Sequence, residues 1–256
     1  METVLITGAS SGIGYEFAKL FAEKGYDLVI SARRKERLEE LKKLFPDSNI
    51  EIIPCDLSLD NGAKYLYDKV QEMGITVNIL INNAGFGLFG EFKETDLEKE
   101  ENMINLNIKA LVALTKLFLK DMLEKDHGKI LNVASMAAFQ PGPYMSVYYA
   151  SKAFVLSFTE ALRNELRNTK VKVSALCPGP VKTEFEKSAN LENSKLFSVM
   201  KPVTAEKVAL TAYKGMEKNK GIIIPGFANK VAIFMSRFAS RNFIVNTARK
   251  IQEKKQ

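Results

Sequence analysis

Short apolar runs alternate with helical periodicities along this chain. The stretches Thr3–Thr7 (TVLIT), Asp27–Ser31 (DLVIS), Ile50–Pro54 (IEIIP), Val77–Ile81 (VNILI), Lys129–Ala134 (KILNVA) and Gly221–Pro225 (GIIIP) read as strands. The Lys129 run is nearly continuous in its apolar residues, as expected of a parallel strand buried on both faces. Apolar residues return at helical spacing in between. Phe17, Leu20 and Phe21 follow the first run, Leu38 to Leu44 the second, and longer patterns span Leu97 to Leu123 and Val203 to Met216. Asn105 and Asn107 interrupt the Leu97 pattern, and an amide buried in mid-helix needs a partner. The 256 residues, 46% hydrophobic and 26% charged, suffice for one α/β domain with a large core.

The first strand-to-helix junction is Gly8-Ala9-Ser10-Ser11-Gly12-Ile13-Gly14. Glycines there let backbone approach a pyrophosphate, and the free amides of the following helix stabilise its charge. The spacing differs from the Gly-x-Gly-x-x-Gly of most dinucleotide folds. The second strand ends in Ala32-Arg33-Arg34, where folds specific for NAD carry a carboxylate for the ribose 2′-hydroxyl. Two guanidiniums instead favour the 2′-phosphate of NADP, although a solvated, basic helix start gives the same sequence. Asp56, after the third strand, either accepts from an adenine amino group or, with Ser58, caps a helix. Asn82-Asn83-Ala84-Gly85 closes the fourth strand with small residues that permit close approach of a cofactor.

Ser135 ends the fifth strand run, and Tyr148 and Lys152 stand four residues apart at the start of another helical stretch, on one face. A tyrosine has an ordinary pKa of ~10, and a cation within several ångströms lowers such a value by ~1–3 units. The expectation is a phenol usable as general acid or base.

Other chemistries have little material. With Cys55, Cys177 and His127 as the only residues of their kinds, metal and thiol chemistry are disfavoured, and His127 reads as a turn residue rather than the base of a hydrolase. No apolar run approaches the ~18–20 residues that span a bilayer, and Met1-Glu2-Thr3 leads directly into a strand, so a cytoplasmic location is expected. The net charge is +7, of which residues 227–256, with seven Lys/Arg and one Asp/Glu, supply +6. That tail, with Val231, Phe234, Met235 and Phe238 at helical spacing and Lys230, Arg237 and Arg241 on other sides, forms an amphipathic basic helix. It either lies weakly on anionic membranes or uses Phe234, Phe238, Phe243 and Ile244 to cover a pocket or a partner subunit. Nucleic acid is not an expected partner, since no second basic patch accompanies it.

Taken together, Thr7-Gly8-x-x-x-Gly12-x-Gly14, Asp56, Asn82-Asn83-Ala84-Gly85, Asn107, Ser135, Tyr148-x-x-x-Lys152 and Pro178-Gly179 make the chain resemble the short-chain dehydrogenase/reductases from Thr3 to about Pro225. The resemblance implies a single Rossmann-like, doubly wound α/β domain of residues 1–226, with about seven parallel strands and helices on both faces. It implies hydride transfer between NADP(H) and a carbonyl or alcohol, and a catalytic tetrad of Asn107, Ser135, Tyr148 and Lys152. Tyr148 would exchange the proton, Ser135 orient the carbonyl oxygen, Lys152 bind the nicotinamide ribose, and Asn107 hold a water beside Lys152. Gly8, Ser10, Ser11, Gly12, Ile13, Gly14, Arg33, Arg34, Asp56, Asn83, Ala84, Gly85, Pro178, Gly179, Val181 and Thr183 would bind the cofactor with Tyr148 and Lys152. A substrate lid over 184–200, apolar through Phe185, Leu191, Leu196, Phe197 and Met200, points to a lipophilic carbonyl of the 3-oxoacyl, steroid or xenobiotic class. Family members pair helices equivalent to 97–124 and 148–168 into homodimers or homotetramers. A non-catalytic, NADP-sensing or scaffold role is the alternative, which the intact tetrad disfavours. Met136-Ala137-Ala138-Phe139 after Ser135 departs from the family pattern, and Ser11 replaces a basic residue of some NADP members, leaving the phosphate to Arg33 and Arg34.

Overall fold

The computed structural model describes residues 1–191 and 202–253. Seven strands form one sheet, and all but the short last one bury side chains on both faces: β1 Thr3–Thr7, β2 Asp27–Ala32, β3 Ile50–Pro54, β4 Ile79–Asn82, β5 Gly128–Val133, β6 Val171–Leu176 and β7 Ile222–Ile223. All pairings are parallel, in the order β3-β2-β1-β4-β5-β6-β7. Strand β6 carries Lys172 and Ser174 among its apolar residues, so a search for continuous apolar runs passes over it. The last strand is shorter than Gly221–Pro225 predicted. β4 starts two residues after Val77, because the Asn78 carboxamide turns to cap the Thr3 amide at 2.8 Å.

Helices α1 (Gly12–Glu23), α2 (Lys35–Lys43) and α8 (Ala205–Glu217) share one face. Their Phe17, Phe21, Leu38 and Val208 form a cluster with Val4, Ile6 and Leu28 of the sheet. On the opposite face, Leu66 of α3 (Gly62–Glu72) and Leu114 and Phe118 of α5 (Leu111–Glu124) pack on Leu5, Val29 and Leu80. Beside them, Val155 and Leu156 of α6 (Ser146–Glu165) meet Ala175 and Cys177. Truncating a fully buried Phe17 or Phe118 to Ala would cost ~3–5 kcal/mol.

The Leu97–Leu123 pattern is one rod in three parts: α4 (Leu97–Ile104), a π-helical turn over Asn105–Ala110, and α5. Buried polar bonds fix this rod and α6 to the sheet. The Asn82 amide donates to Thr115 Oγ1 and Asn132 Oδ1, both at 2.9 Å, and Asn132 donates to Thr159 Oγ1 at 3.0 Å. After Val181 the chain enters a short helix, α7 (Phe185–Ser188). The predicted lid lies only partly within view, because Leu196, Phe197 and Met200 fall outside the described residues.

The tail forms two helices, α9 (Phe227–Ser236) and α10 (Arg241–Gln252). Ser240 breaks the amphipathic stretch by capping α10, its hydroxyl accepting from the Phe243 amide at 3.3 Å. Both helices lie against the open end of the cleft described next. No helix among the described residues is long and apolar enough to cross a membrane.

Candidate active site

A cavity of about 930 Å3 opens at the C-terminal ends of the strands, where the order reverses between β1 and β4. Open α/β sheets bind ligands at this point. Its first half is built by close backbone approach. Gly8 leaves β1 with φ of +68°, and a Cβ on it would come within 2.9 Å of Ala84 Cα and of the Asn83 amide nitrogen. A Cβ on Gly14 would strike the Gly8 carbonyl. Thr7 clamps the facing segment, accepting from the amides of Asn83 (3.0 Å) and Ala84 (3.1 Å), while the Asn83 side chain donates to the Thr7 carbonyl at 2.9 Å.

Ser11 caps α1 by backbone position only; its hydroxyl makes no cap bond, and no acidic residue stands in the first turn. The first-turn amides and the positive helix end therefore face the cavity, beside Ser10 and Ile13, as a cradle suited to a pyrophosphate. Thr183 leans on this cradle, since a Cβ on Gly12 would lie 3.2 Å from its methyl group. Pro178, Gly179 and Val181 line the same wall, which a bridge between Val181 and Val203 holds to the body.

Both arginines at the end of β2 meet carboxylates that their own stretch of sequence lacks. Arg33 Nη1 is 3.9 Å from Asp56 Oδ2, and Arg34 Nη2 is 2.8 Å from Glu184 Oε2 and 3.3 Å from Ser10 Oγ. Exposed pairs of this kind contribute about 0–1 kcal/mol. Asp56 does not cap a helix. Its Oδ1 accepts from the amide and hydroxyl of Ser58 at 2.9 and 2.6 Å, and the N-cap of α3 is Asn61.

The second half is the floor. Ser135 ends the β5 segment and caps a 3-10 turn over Met136–Phe139, accepting from the Ala137 amide at 3.1 Å. Tyr148, half-buried in the first turn of α6, packs on Phe185 with ring centres 5.5 Å apart. Burial pushes its phenol up to about 12, and the hydrogen bond with Ser135 opposes that shift. Lys152, one turn on, donates to the Val133 carbonyl at 2.9 Å, with its nitrogen 5.8 Å from the Tyr148 ring centre. Burial lowers its ammonium to about 8. The expected depression of the phenol by this cation is therefore not found. Desolvation dominates at both groups, and the ammonium is directed at a carbonyl rather than at the phenolic oxygen.

Asn107, 1% exposed, finds its partners through the π turn. It donates to the Phe86 carbonyl (2.9 Å) and Ser151 Oγ (3.1 Å) and accepts from the Phe86 amide (3.1 Å). Gly85 leaves room for this group, as a Cβ on it would lie 2.9 Å from Asn107 Oδ1 and 3.3 Å from Lys152 Nζ. Asn105 has no such place. Tyr149 points away, its hydroxyl accepting from Gln252 of α10, and burial raises its phenol further than that of Tyr148.

The tail closes the apolar end. Ile233, Phe238, Phe243, Ile244 and Ala248 line the cavity together with Phe139 and Met145, and the Arg249 guanidinium sits 5.4 Å from the Tyr144 ring centre. Phe234 does not line it. Among the described residues, several at the site escaped the sequence reading, three of them with specific polar partners. Glu184 pairs with Arg34; buried Gln252 meets Tyr149; buried Asn229 donates to the Pro225 carbonyl at 2.7 Å, with its amide where a side chain on Gly179 would stand. Only Glu184 left a signal, an acidic residue directly after the Thr183 expected at the phosphates.

Known proteins share this architecture. The family model described as short chain dehydrogenase matches residues 2–194. Sulfoacetaldehyde reductase 2 of Chromohalobacter salexigens is 38% identical over 187 residues, covering 72% of this chain and 74% of the relative. A short-chain dehydrogenase from Sphingobium yanoikuyae, solved in complex with NADPH, superposes with a TM-score of 0.83 at 32% identity, over 93% of this chain and 94% of that one. The bulky-bulky ketone specific alcohol dehydrogenase from Comamonas testosteroni superposes with a TM-score of 0.79 at 27% identity, over 93% and 92%.

Proposed function

This chain belongs to the short-chain dehydrogenase family, and on that premise we propose that it reduces a lipophilic ketone or aldehyde with NADPH. The observation that carries the reading is the floor, where a phenol paired with a hydroxyl stands above a buried ammonium and opens on an apolar cavity. When bound, the nicotinamide supplies the hydride for the carbonyl carbon. Tyr148, with its proton held to about pH 12, donates to the carbonyl oxygen as negative charge develops there. Ser135 donates a second hydrogen bond to that oxygen, so the charge forms against two preset donors. Lys152 would hold the ribose hydroxyls, and Asn107 keeps the loop at Phe86 in place beside it.

The glycine turn from Gly8 to Gly14, with Ser10, Ser11 and Ile13, would hold the pyrophosphate, and Asn83, Ala84 and Gly85 the adjoining ribose. Asp56 would face the adenine. Pro178, Gly179, Val181 and Thr183 would take the carboxamide side. The name of the Sphingobium structure supports NADPH, as do Arg33 and Arg34, which would receive the 2′-phosphate by exchanging exposed carboxylate partners for it. An apolar wall supports a bulky carbonyl substrate, in keeping with the specificity named for the Comamonas enzyme.

Exposed Leu97 and Ile104 on the α4 side and Phe154 on α6, with Phe154 stacked on Phe158 at 6.0 Å, support a two-fold dimer or tetramer through these helices. The outer side of the tail, where Phe227, Phe234 and Phe238 stand beside Lys230 and Arg237, supports weak contact with anionic membranes. The test of the central reading is a panel of ketones and aldehydes with NADPH, followed by absorbance of the reduced nicotinamide. Turnover of bulky apolar carbonyls is expected. Tight NADPH binding without turnover of any carbonyl would instead favour a nucleotide-sensing protein.

A further inference from the structure

Arg34 caps α2, Ser10 sits in the glycine turn and Glu184 follows Thr183, yet the three side chains converge. Arg34 Nη2 lies 3.3 Å from Ser10 Oγ and 2.8 Å from Glu184 Oε2, across 150 positions of sequence in the second case. Glu184 is brought there by Thr183, which packs on the glycine turn near Gly12. Its carboxylate thus approaches Arg34 from the opposite lip of the cradle. The two side chains are 46% and 53% exposed, so water screens the pair and it opens readily.

We propose that Glu184 is a specificity-determining residue, an internal competitor for Arg34 that a 2′-phosphate displaces and an unphosphorylated ribose does not. The proposal rests on the reading that Arg33 and Arg34 receive that phosphate. Glu184 and Ser10 both engage Arg34 Nη2, and a phosphate held bidentately from the side of the glycine turn needs that nitrogen, so the two anions compete for it. A phosphate monoester carries about −1.5 to −2 charges near neutral pH and repels the displaced carboxylate. Entry of NADPH therefore gives up the Arg34–Glu184 pair and works against that repulsion, whereas NADH meets neither cost. A competitor at this lip moderates affinity for the phosphorylated cofactor and speeds its release, leaving the nicotinamide end untouched.

Isothermal titration of the full-length protein with NADPH and with NADH tests this for the wild type, Glu184→Gln, Arg34→Ala and the double variant. Glu184→Gln is expected to tighten NADPH about fivefold, the scale of one exposed ion pair, with NADH changed less than about twofold. In the Arg34→Ala background the same substitution should tighten NADPH by less than about twofold, since only the repulsion of the carboxylate is left to remove, and should leave NADH unchanged. Equal changes for both cofactors, or weaker NADPH binding by Glu184→Gln, would overturn the proposal. If Arg34→Ala weakens NADPH while Glu184→Gln alters nothing, the competitor falls and phosphate recognition stands. If Arg34→Ala leaves NADPH binding unchanged, both fall.

Discussion

The floor of the cleft and its tail wall border the same cavity but are built differently. On the floor, Lys152 and Asn107 are 6% and 1% exposed, and each is tied to backbone: Lys152 to Val133, Asn107 to both polar groups of Phe86. In the wall, Phe238 and Phe243 are 74% and 64% exposed while still lining the cavity, and the α10 side is pinned through Gln252 on Tyr149 and Arg249 on Tyr144. Buried side-chain-to-backbone bonds hold one geometry, because any other leaves a desolvated polar group unpaired. Half-exposed apolar contacts tolerate many arrangements. If the proposed reading holds, the floor carries the chemistry and the wall the substrate choice, and lesions in the two should separate in turnover and KM.

Two adjacent tyrosines give the sharpest separation. Tyr148→Phe removes the proton donor and is expected to lower turnover by ~10²–10⁴ while NADPH affinity stays within about threefold. Tyr149→Phe removes only the hydroxyl that Gln252 meets, and should raise KM for bulky carbonyls with turnover kept within about tenfold. Steady-state kinetics on both variants decide it; equal loss of turnover in the two would erase the distinction between floor and wall.

The next largest effect is in pH. Burial pushes Tyr148 up to about 12 and brings Lys152 down to about 8, so from neutral to mildly alkaline pH the phenol keeps its proton and the lysine is the group of the two that titrates. On the proposed mechanism, Lys152 supports the reduction as an ammonium below about pH 8; as pH rises through that value it becomes neutral and the rate should fall, by about tenfold per unit well above it. Lys152→Arg, whose guanidinium keeps its charge past pH 12, should remove this alkaline limb even if it is slower overall. A reduction rate that keeps rising from pH 8 to 10 in the wild type would contradict the assignment.

Local patterns carried most of the fold into the sequence. Six strands show as apolar runs, and Tyr148 and Lys152 reach one helix face because four residues make about one turn. What escaped depends on distance or solvation. Arg34 and Glu184 are 150 positions apart, and nothing in either neighbourhood announces the other. The π turn around Asn107 uses residues that suit an α-helix equally well, so periodicity reads straight through it. The direction of the Tyr148 shift also reversed, because spacing reveals a nearby cation but not the burial that outweighs it. The tail read as one amphipathic helix because Ser240, a cap by its side chain, looks like an ordinary surface serine.

The wall itself is probed by ending the chain before Phe227. This removes α9 and α10, and with them Ile233, Phe243, Ile244 and Ala248 from the cavity. KM for bulky apolar ketones should rise at least about tenfold, since the lost burial of even one such apolar group is worth that much, while a small aldehyde is little affected. NADPH affinity measured by calorimetry should weaken by less than the KM for bulky ketones rises, the loss confined to the wall at Gly179 where Asn229 packs. A matched loss for small and bulky substrates would mean the tail supports the floor rather than the specificity.

The smallest effect concerns the outer side of the same helices. Phe227, Val231, Phe234 and Phe238 are 81%, 43%, 56% and 74% exposed, with Lys230, Arg237 and Arg241 also exposed beside them. Aromatic groups at this density gain by entering a lipid interface, and each cation near an anionic surface adds about 1 kcal/mol at low salt. Since Phe238 also lines the cavity, a membrane seated here would meet the mouth through which an apolar substrate enters. Full-length protein should sediment with vesicles rich in phosphatidylserine at low salt and dissociate as salt rises, and Phe234→Ser with Phe238→Ser should reduce the bound fraction severalfold. Turnover of a small aldehyde should be unchanged in that variant, because neither ring touches the floor. If wild type and variant sediment alike, or neither sediments, the exposed rings serve the wall and a partner subunit alone, and the comparison between floor and wall loses its outer, lipid-facing half.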